Sequence, residues 1–225
     1  MNTAIIVAAG TGSRFGSTTP KQFLTIAGKP LLIHTLEEFE STTAIDEIIV
    51  VVSGDRIDQV WKLFVDHRIS KLTSVIEGGA NRSESVRNGF NAVRSSTDIV
   101  VVHDGARPLV DVSEIEECVE KAEEFGAACL VGKVTDTIKE VDGDFISGTI
   151  DRTKLRRALT PQAFRYDLLK RAFTNADLND SVTDECCLVE KLGVKIAFVE
   201  GSSRNIKITT PDDLVFAAAL LKPPA

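Results

Sequence analysis

Residues 1–24 read MNTAIIVAAGTGSRFGSTTPKQFL. An apolar run over 3–9 opens into a segment of Gly, Ser and Thr whose only cations are Arg14 and Lys21. Short, nearly continuous apolar runs of this kind read as strands buried on both faces, as in parallel sheets. The loop after such a strand lies at the carboxyl edge of the sheet, where α/β proteins bind ligands. Its small residues let backbone N–H groups approach an anion, and a helix N-terminus beyond it would add a favourable dipole. The plain alternative is a tight turn that needs glycine dihedrals.

The same pattern recurs along the chain. Further strand candidates are 47–53 (EIIVVVS), 73–77 (TSVIE), 98–103 (DIVVVH), 128–135 (ACLVGKVT) and 194–199 (VKIAFV). Helix candidates lie at 30–40, with Pro30 suited to a first helical position, and at 55–66, 83–94 and 113–125. A last helix opens at Pro211 behind Thr210 as N-cap. This alternation predicts an α/β sheet, mostly parallel, with helices on both faces. Residues 136–152 (DTIKEVDGDFISGTIDR) break the rhythm, because Asp142-Gly143 between two β-like runs signals a hairpin. Such a hairpin is either an arm reaching another subunit or a surface excursion. With no repeat and no linker, 1–225 reads as one domain.

Composition narrows the function. The 225 residues are 43% hydrophobic and 26% charged, ordinary for a globular protein, and the net charge is −7. That sign excludes a broad nucleic-acid-binding surface and confines any anion site to a local basic cluster. No apolar run has the length of a membrane span, and no leader pattern opens the chain, so the expectation is a cytoplasmic protein without a membrane partner. Cys118, Cys129, Cys186 and Cys187 have no metal-ligand spacing, and neither do His34, His67 and His103. Cys118 belongs to the helical stripe Ile115, Cys118, Val119, Ala122, Phe125, with Ser113 and Glu116 as its expected capping box.

Three phosphate-binding readings compete for the first loop. A dinucleotide fingerprint needs G-x-G-x-x-G, and here the third glycine, Gly16, comes one position late. A P-loop needs Gly-Lys-Ser/Thr, which Gly12-Ser13-Arg14 is not. A nucleotidyltransferase loop, with a basic residue inside it and a lysine just after, fits. Arg14 and Lys21 would then flank a triphosphate and offset charge that grows at the α-phosphorus.

With AAGTGSRFG…PKQFL stand GGANRSESVRNG, VHDGARP, ALTPQAF, TDE and NIKITTPDDL, in that order. Together they resemble the bacterial 2-C-methyl-D-erythritol 4-phosphate cytidylyltransferases of the non-mevalonate isoprenoid pathway. The resemblance implies a Rossmann-like nucleotidyltransferase fold with a projecting β-hairpin arm. It implies that Ala8, Ala9, Gly10 and Gly12 contact the nucleotide, that Gly79, Ala80 and Ser85 select cytosine, and that Arg14, Lys21 and Lys207 carry the catalytic charge. Many members have an acidic residue where Ala80 stands, so any contact there is made by backbone. Asp104 would hold Mg2+, directly or through water, near the substrate hydroxyls, and Arg107 would orient the sugar phosphate. Thr137, Arg152, Thr160 and Thr183 are the remaining substrate-side residues. Arg152 is expected to reach the partner's site in a homodimer with exchanged arms.

Each assignment has a plainer structural reading. Ser83 would be an N-cap, Asp104 and Arg107 a turn bridge, Thr183 an N-cap for a helix ending near Gly193, and Lys207 a solvated residue on a short strand. The implied reaction joins CTP and methylerythritol phosphate into a CDP-alcohol and pyrophosphate. Two alternatives stay open from sequence: a ribitol-5-phosphate cytidylyltransferase, and a non-catalytic nucleotide-binding module.

Overall fold

A computed structural model of the chain describes residues 1–10, 15, 20–174, 176–178 and 182–221. Gly12 and Arg14 of the first loop lie outside the described residues. In chain order the strands are β1 (Asn2–Val7), the short pair β2 (Thr25–Ile26) and β3 (Lys29–Pro30), β4 (Glu47–Val52), β5 (Leu72–Glu77), β6 (Ile99–Asp104) and β7 (Ala127–Lys133). The chain continues through β8 (Ile138–Asp142), β9 (Phe145–Ile150), β10 (Arg156–Arg165) and β11 (Ala197–Glu200). The helices are α1 (Leu31–Ser41), α2 (Ile57–His67), α3 (Arg82–Asn91), α4 (Val112–Phe125), α5 (Tyr166–Thr174), α6 (Cys186–Glu190) and α7 (Pro211–Leu220).

The main sheet has the order β11-β7-β10-β6-β1-β4-β5. Its ladders are parallel except those of β10, which runs antiparallel to both β6 and β7. Side chains on successive strand residues point to opposite faces. Accordingly Ala4, Ile6, Val50, Val52, Ile99 and Val101 join one core cluster while Ile5, Ile49, Val51, Val100 and Val102 join the other. Helices α1, α2 and α4 cover the first face; α3, α5 and α6 cover the second. A one-residue slip of β1 would exchange its two apolar sets between helix layers of different shape, so the register is set from both sides.

Strand β10 was not expected from sequence. Pro161 argues against a central strand because it has no N–H for a ladder. The structure resolves the conflict with a break in pairing. β10 pairs with β7 at Arg156–Ala158 and again from Gln162, with the register shifted between them, and with β6 only from Gln162 onward. Pro161 falls in the irregular stretch and needs no partner. Helix α5 likewise lay outside the sequence expectation. The edge strands β5 and β11 are only partly buried, unlike the fully enclosed strands foreseen.

The hairpin is present: β8 and β9 form their own two-stranded sheet, apart from the main one, and Gly143 takes the positive φ of 55° that its turn requires. Four local expectations shift. Helix α4 is capped by Asp111 with Glu114, a residue pattern equivalent to Ser113 with Glu116 but two positions earlier. Helix α3 is capped by Asn81 rather than Ser83, whose hydroxyl donates instead to the Val182 carbonyl. Thr183 is not the N-cap of α6, because that helix begins only after Glu185. Lys207 lies on extended chain outside any ladder, tied down through the Ile208 N–H to the Ala106 carbonyl at 2.8 Å. Thr210 does cap α7, in a reciprocal box with Asp213.

Candidate active site

The parallel ladders continue briefly past their strand ends, which aligns the loops. Ala8 N–H donates to the Val51 carbonyl at 2.7 Å, Gly78 N–H to Val52 at 2.8 Å and Gly105 N–H to Val7 at 2.9 Å. These loops and the chain before α7 enclose a cleft of about 420 Å³, a volume suited to a small ligand. It gathers Ala9, Gly10, Lys21, Gly79, Ala80, Ser85, Asp104 and Lys207 from across the sequence. A second depression, at the opposite end of the sheet around Met1, Asp98 and Arg165, contains none of the residues nominated from sequence.

One end of the cleft is small and neutral. Gly79 is required there, since a Cβ would fall 2.4 Å from the Cβ of Glu84. Its N–H donates to Ser85 Oγ at 3.0 Å, and the Ala80 N–H donates to Glu84 Oε2 at 2.9 Å. Ser85 Oγ in turn donates to the Asn81 carbonyl. Both backbone donors are thus engaged within the loop.

The other end is charged. Asp104, at the tip of β6, is buried and receives Arg82 Nε at 3.0 Å on one oxygen and Lys207 Nζ at 2.8 Å on the other. Arg107 Nε approaches the second oxygen at 3.5 Å. Burial opposes the Asp104 charge, but Arg82, Lys207 and Arg107 together hold the carboxyl well below its usual range. Lys21 Nζ donates to the Ile208 carbonyl at 2.6 Å, beside Lys207 in sequence. Cations therefore outnumber carboxylates along this wall, as an anionic ligand requires.

Beneath Asp104 the polar groups are mutually satisfied. The Thr160 hydroxyl lies 3.1 Å from His103 Nδ1 and accepts the Asp104 N–H at 3.1 Å. His103 Nε2 lies 3.2 Å from the Arg107 carbonyl. This arrangement places the imidazole proton on Nε2 and leaves Nδ1 to accept from Thr160. Burial holds the ring neutral, pushing its pKa down to about 3.

Several nominated residues stand elsewhere. Arg107 does not line the cleft; it is buried, donating Nη1 to the Asn205 carbonyl at 2.9 Å, so the turn-bridge geometry is realised. Ala8 is buried behind the loop. Thr137 and Arg152 lie exposed where the hairpin leaves and rejoins the body, with Arg152 bonded to the Thr135 carbonyl. Thr183 is exposed and Thr160 buried.

Three residues of the quoted motifs were passed over. Gln22 is buried and its Nε2 ties the Ala8 and Gly10 carbonyls together, which shapes the start of the loop. Arg82 and Glu185 form a buried ion pair against the cleft. Their signal in the sequence is their place inside PKQF, GGANRSES and TDE, beside the lysine, the small residues and the threonine.

Comparison with known proteins follows the same lines. The sequence profile described as 2-C-methyl-D-erythritol 4-phosphate cytidylyltransferase matches residues 2–223. The enzyme of that name from Geobacillus thermodenitrificans is 43% identical over 219 residues, 97% of this chain and 96% of the relative. Its counterpart from Clostridium acetobutylicum is 43% identical over 225 residues, covering 99% and 98%. The crystal structure of a 4-diphosphocytidyl-2C-methyl-D-erythritol synthase from Anaerococcus prevotii superposes with a TM-score of 0.86 at 27% identity, over 99% of this chain and 96% of the other.

Proposed function

This chain belongs to the 2-C-methyl-D-erythritol 4-phosphate cytidylyltransferase family, and from that premise we propose how its residues divide the work. The enzyme transfers the cytidylyl group of CTP to 2-C-methyl-D-erythritol 4-phosphate, in isoprenoid precursor synthesis. A phosphate oxygen of the alcohol phosphate attacks the α-phosphorus of CTP. A new P–O bond forms as the bond to the bridging oxygen breaks, and pyrophosphate leaves with that electron pair. The attacking phosphate is already an anion at neutral pH, so no general base is required. What remains is positioning and the stabilisation of charge at phosphorus.

The observation that carries this division is the polarity of the cleft: a small neutral end and a cationic end around one buried carboxylate. Gly79, Ala80 and Ser85 take the cytosine, while Ala9, Gly10 and Gly12 bring backbone to the nucleotide and Ala8, buried with both its backbone groups bonded, anchors the loop behind them. With the N–H groups of Gly79 and Ala80 engaged within their own loop, the carbonyls there are the groups left to meet the cytosine amino group. Lys21 and Lys207, with Arg14, supply charge at the α-phosphate. Arg107 acts from behind by fixing Asp104, and Thr160 does so through the Asp104 N–H.

The donor set also suits magnesium. Mg2+ keeps waters and substrate phosphates as ligands and needs only one or two carboxylates. Asp104, with three cationic neighbours, has lone pairs left for one such contact, direct or through water. The ion would neutralise triphosphate charge there.

The working assembly is proposed to be a homodimer. The hairpin carries Val141, Phe145 and Ile146 exposed, an apolar surface with no cover among the described residues. Exchange of the arms would bring Thr137 and Arg152 to the partner's cleft, beside Thr183. The four cysteines are free thiols, which supports a reducing, cytoplasmic location, and no described helix is long and apolar enough to cross a membrane. Pyrophosphate release from CTP with methylerythritol phosphate, run beside ribitol 5-phosphate, tests the assignment. Turnover of ribitol phosphate alone would overturn it, and CTP binding without product would mark a non-catalytic module.

A further inference from the structure

Glu185 is fully buried, yet it is a carboxylate lying one residue from the cleft wall. Its partner Arg82 donates Nη1 to both carboxylate oxygens, at 2.9 and 3.0 Å, and Nε to Asp104 at 3.0 Å. One guanidinium therefore joins two buried carboxylates. Burying an ion pair costs desolvation energy that its mutual attraction often fails to repay, so stability alone is a weak reason for keeping one. Arg82 also lines the cleft and is partly accessible. Its Nη2 is neither buried nor hydrogen-bonded among the described residues, whereas Nε and Nη1 are spoken for.

The surroundings of Glu185 show a built support. Gln162 on β10 accepts the Glu185 N–H through Oε1 at 3.2 Å and donates Nε2 to Asp184 at 3.0 Å. Arg82 itself starts α3, whose N-cap Asn81 donates to the Leu178 carbonyl. Two separated carboxylates, Asp104 and Glu185, thus converge on one guanidinium, and Gln162 holds the backbone of the second. Burial opposes the charge of Arg82, but Glu185 and Asp104 keep it firmly protonated.

We propose that Arg82 is a further catalytic residue, braced by Glu185 and donating its remaining Nη2 to a phosphate oxygen at the transfer centre. The inference rests on the cytidylyltransferase reading above. A guanidinium suits this task because its planar fork serves two carboxylates on one side and a phosphate on the other. Lysine has one nitrogen and cannot hold all three. Glu185 is a positioning residue: it touches no substrate and sets the direction of the fork.

The test compares wild type, Arg82→Lys and Glu185→Gln by pyrophosphate release, with KM for each substrate and the thermal midpoint. Arg82→Lys is expected to lower kcat about 10²-fold, the scale of a preorganised charged donor. Glu185→Gln keeps shape and Arg82, and is expected to lower kcat about 10-fold through misplacement of the fork. Both should keep their thermal midpoint within about 4 °C. A rise in KM for CTP or for methylerythritol phosphate identifies which phosphate is held. Unchanged kcat in Arg82→Lys would overturn the proposal, as would unfolding of both variants, since the pair would then serve the fold. Absence of wild-type turnover would instead overturn the cytidylyltransferase reading.

Discussion

The cleft and the hairpin break the usual sorting of residues in opposite directions. At the cleft, charge is buried: Glu185 is 0% exposed and Asp104 6%, each beside cations. On the hairpin, apolar surface is left outside, with Phe145 80% exposed. Buried charge and exposed large apolar groups are the informative deviations from ordinary burial. The first is stable because every carboxylate has a partner. The second has no cover among the described residues, and the proposed dimer would supply it. One region gathers its charges within the chain around space for a small ligand; the other presents apolar surface that the proposed second copy would cover.

Four experiments bear on that contrast. The largest effect is expected from Lys21→Ala and Lys207→Ala, each lowering kcat on the order of 10² to 10³-fold in a pyrophosphate-release assay. Normal turnover in either would leave the cationic wall without a catalytic purpose.

Next is the neutral ring under Asp104. His103 has its pKa depressed from 6.5 to about 3 by burial, so below pH 6.5 the unfolded chain takes up a proton that the folded one refuses. Its contribution to stability is complete above pH 6.5 and falls as pH drops toward 3. The loss is on the order of a few kcal/mol over that window. Urea unfolding of wild type and His103→Asn between pH 7 and 4 measures it; the variant should show a flatter profile. Equal slopes would mean that the ring charges in place.

For the arm, Phe145→Asp is expected to weaken self-association by about 10- to 100-fold while changing the unfolding free energy of the chain by less than about 0.5 kcal/mol. Sedimentation velocity reads the first and denaturant unfolding the second. An unaltered oligomer would remove the arm from the interface. The smallest effect joins both regions. Mixing Lys21→Ala chains with Arg152→Ala chains should restore about a quarter of wild-type turnover, because half the dimers are mixed and each mixed dimer has one intact site. No recovery would mean that Arg152 serves its own chain.

The sheet was legible because strands buried on both faces must be nearly all apolar, and EIIVVVS or DIVVVH cannot do much else. The hairpin was legible from Asp142-Gly143, since few residues accept the turn's positive φ. Strand β10 was not: Pro161 in its middle and Arg156-Arg157 at its start contradict a central strand, and only the paired neighbours explain how the break is tolerated. Lys21, Asp104 and Lys207 were found through motifs, but Arg82 and Glu185 were not. Their significance is that of a pair 103 positions apart, and no local pattern encodes the distance between them. Capping errors had a local cause, as at Asp111 and Ser113, where two acceptable caps stand two residues apart.

Strands β7 and β10 are hydrogen-bonded neighbours, and the hairpin leaves from the end of one and returns at the start of the other. Lys133 and Arg156, the residues on either side of the excursion, face each other across the ladder. The arm is therefore a detachable module: the doorway it leaves through is already shut by the sheet. A chain in which a short turn joins those two residues keeps every strand of the main sheet. Such a chain would also lose Thr137 and Arg152, so on the proposed arm exchange the excursion that carries the partnership carries part of the partner's chemistry with it.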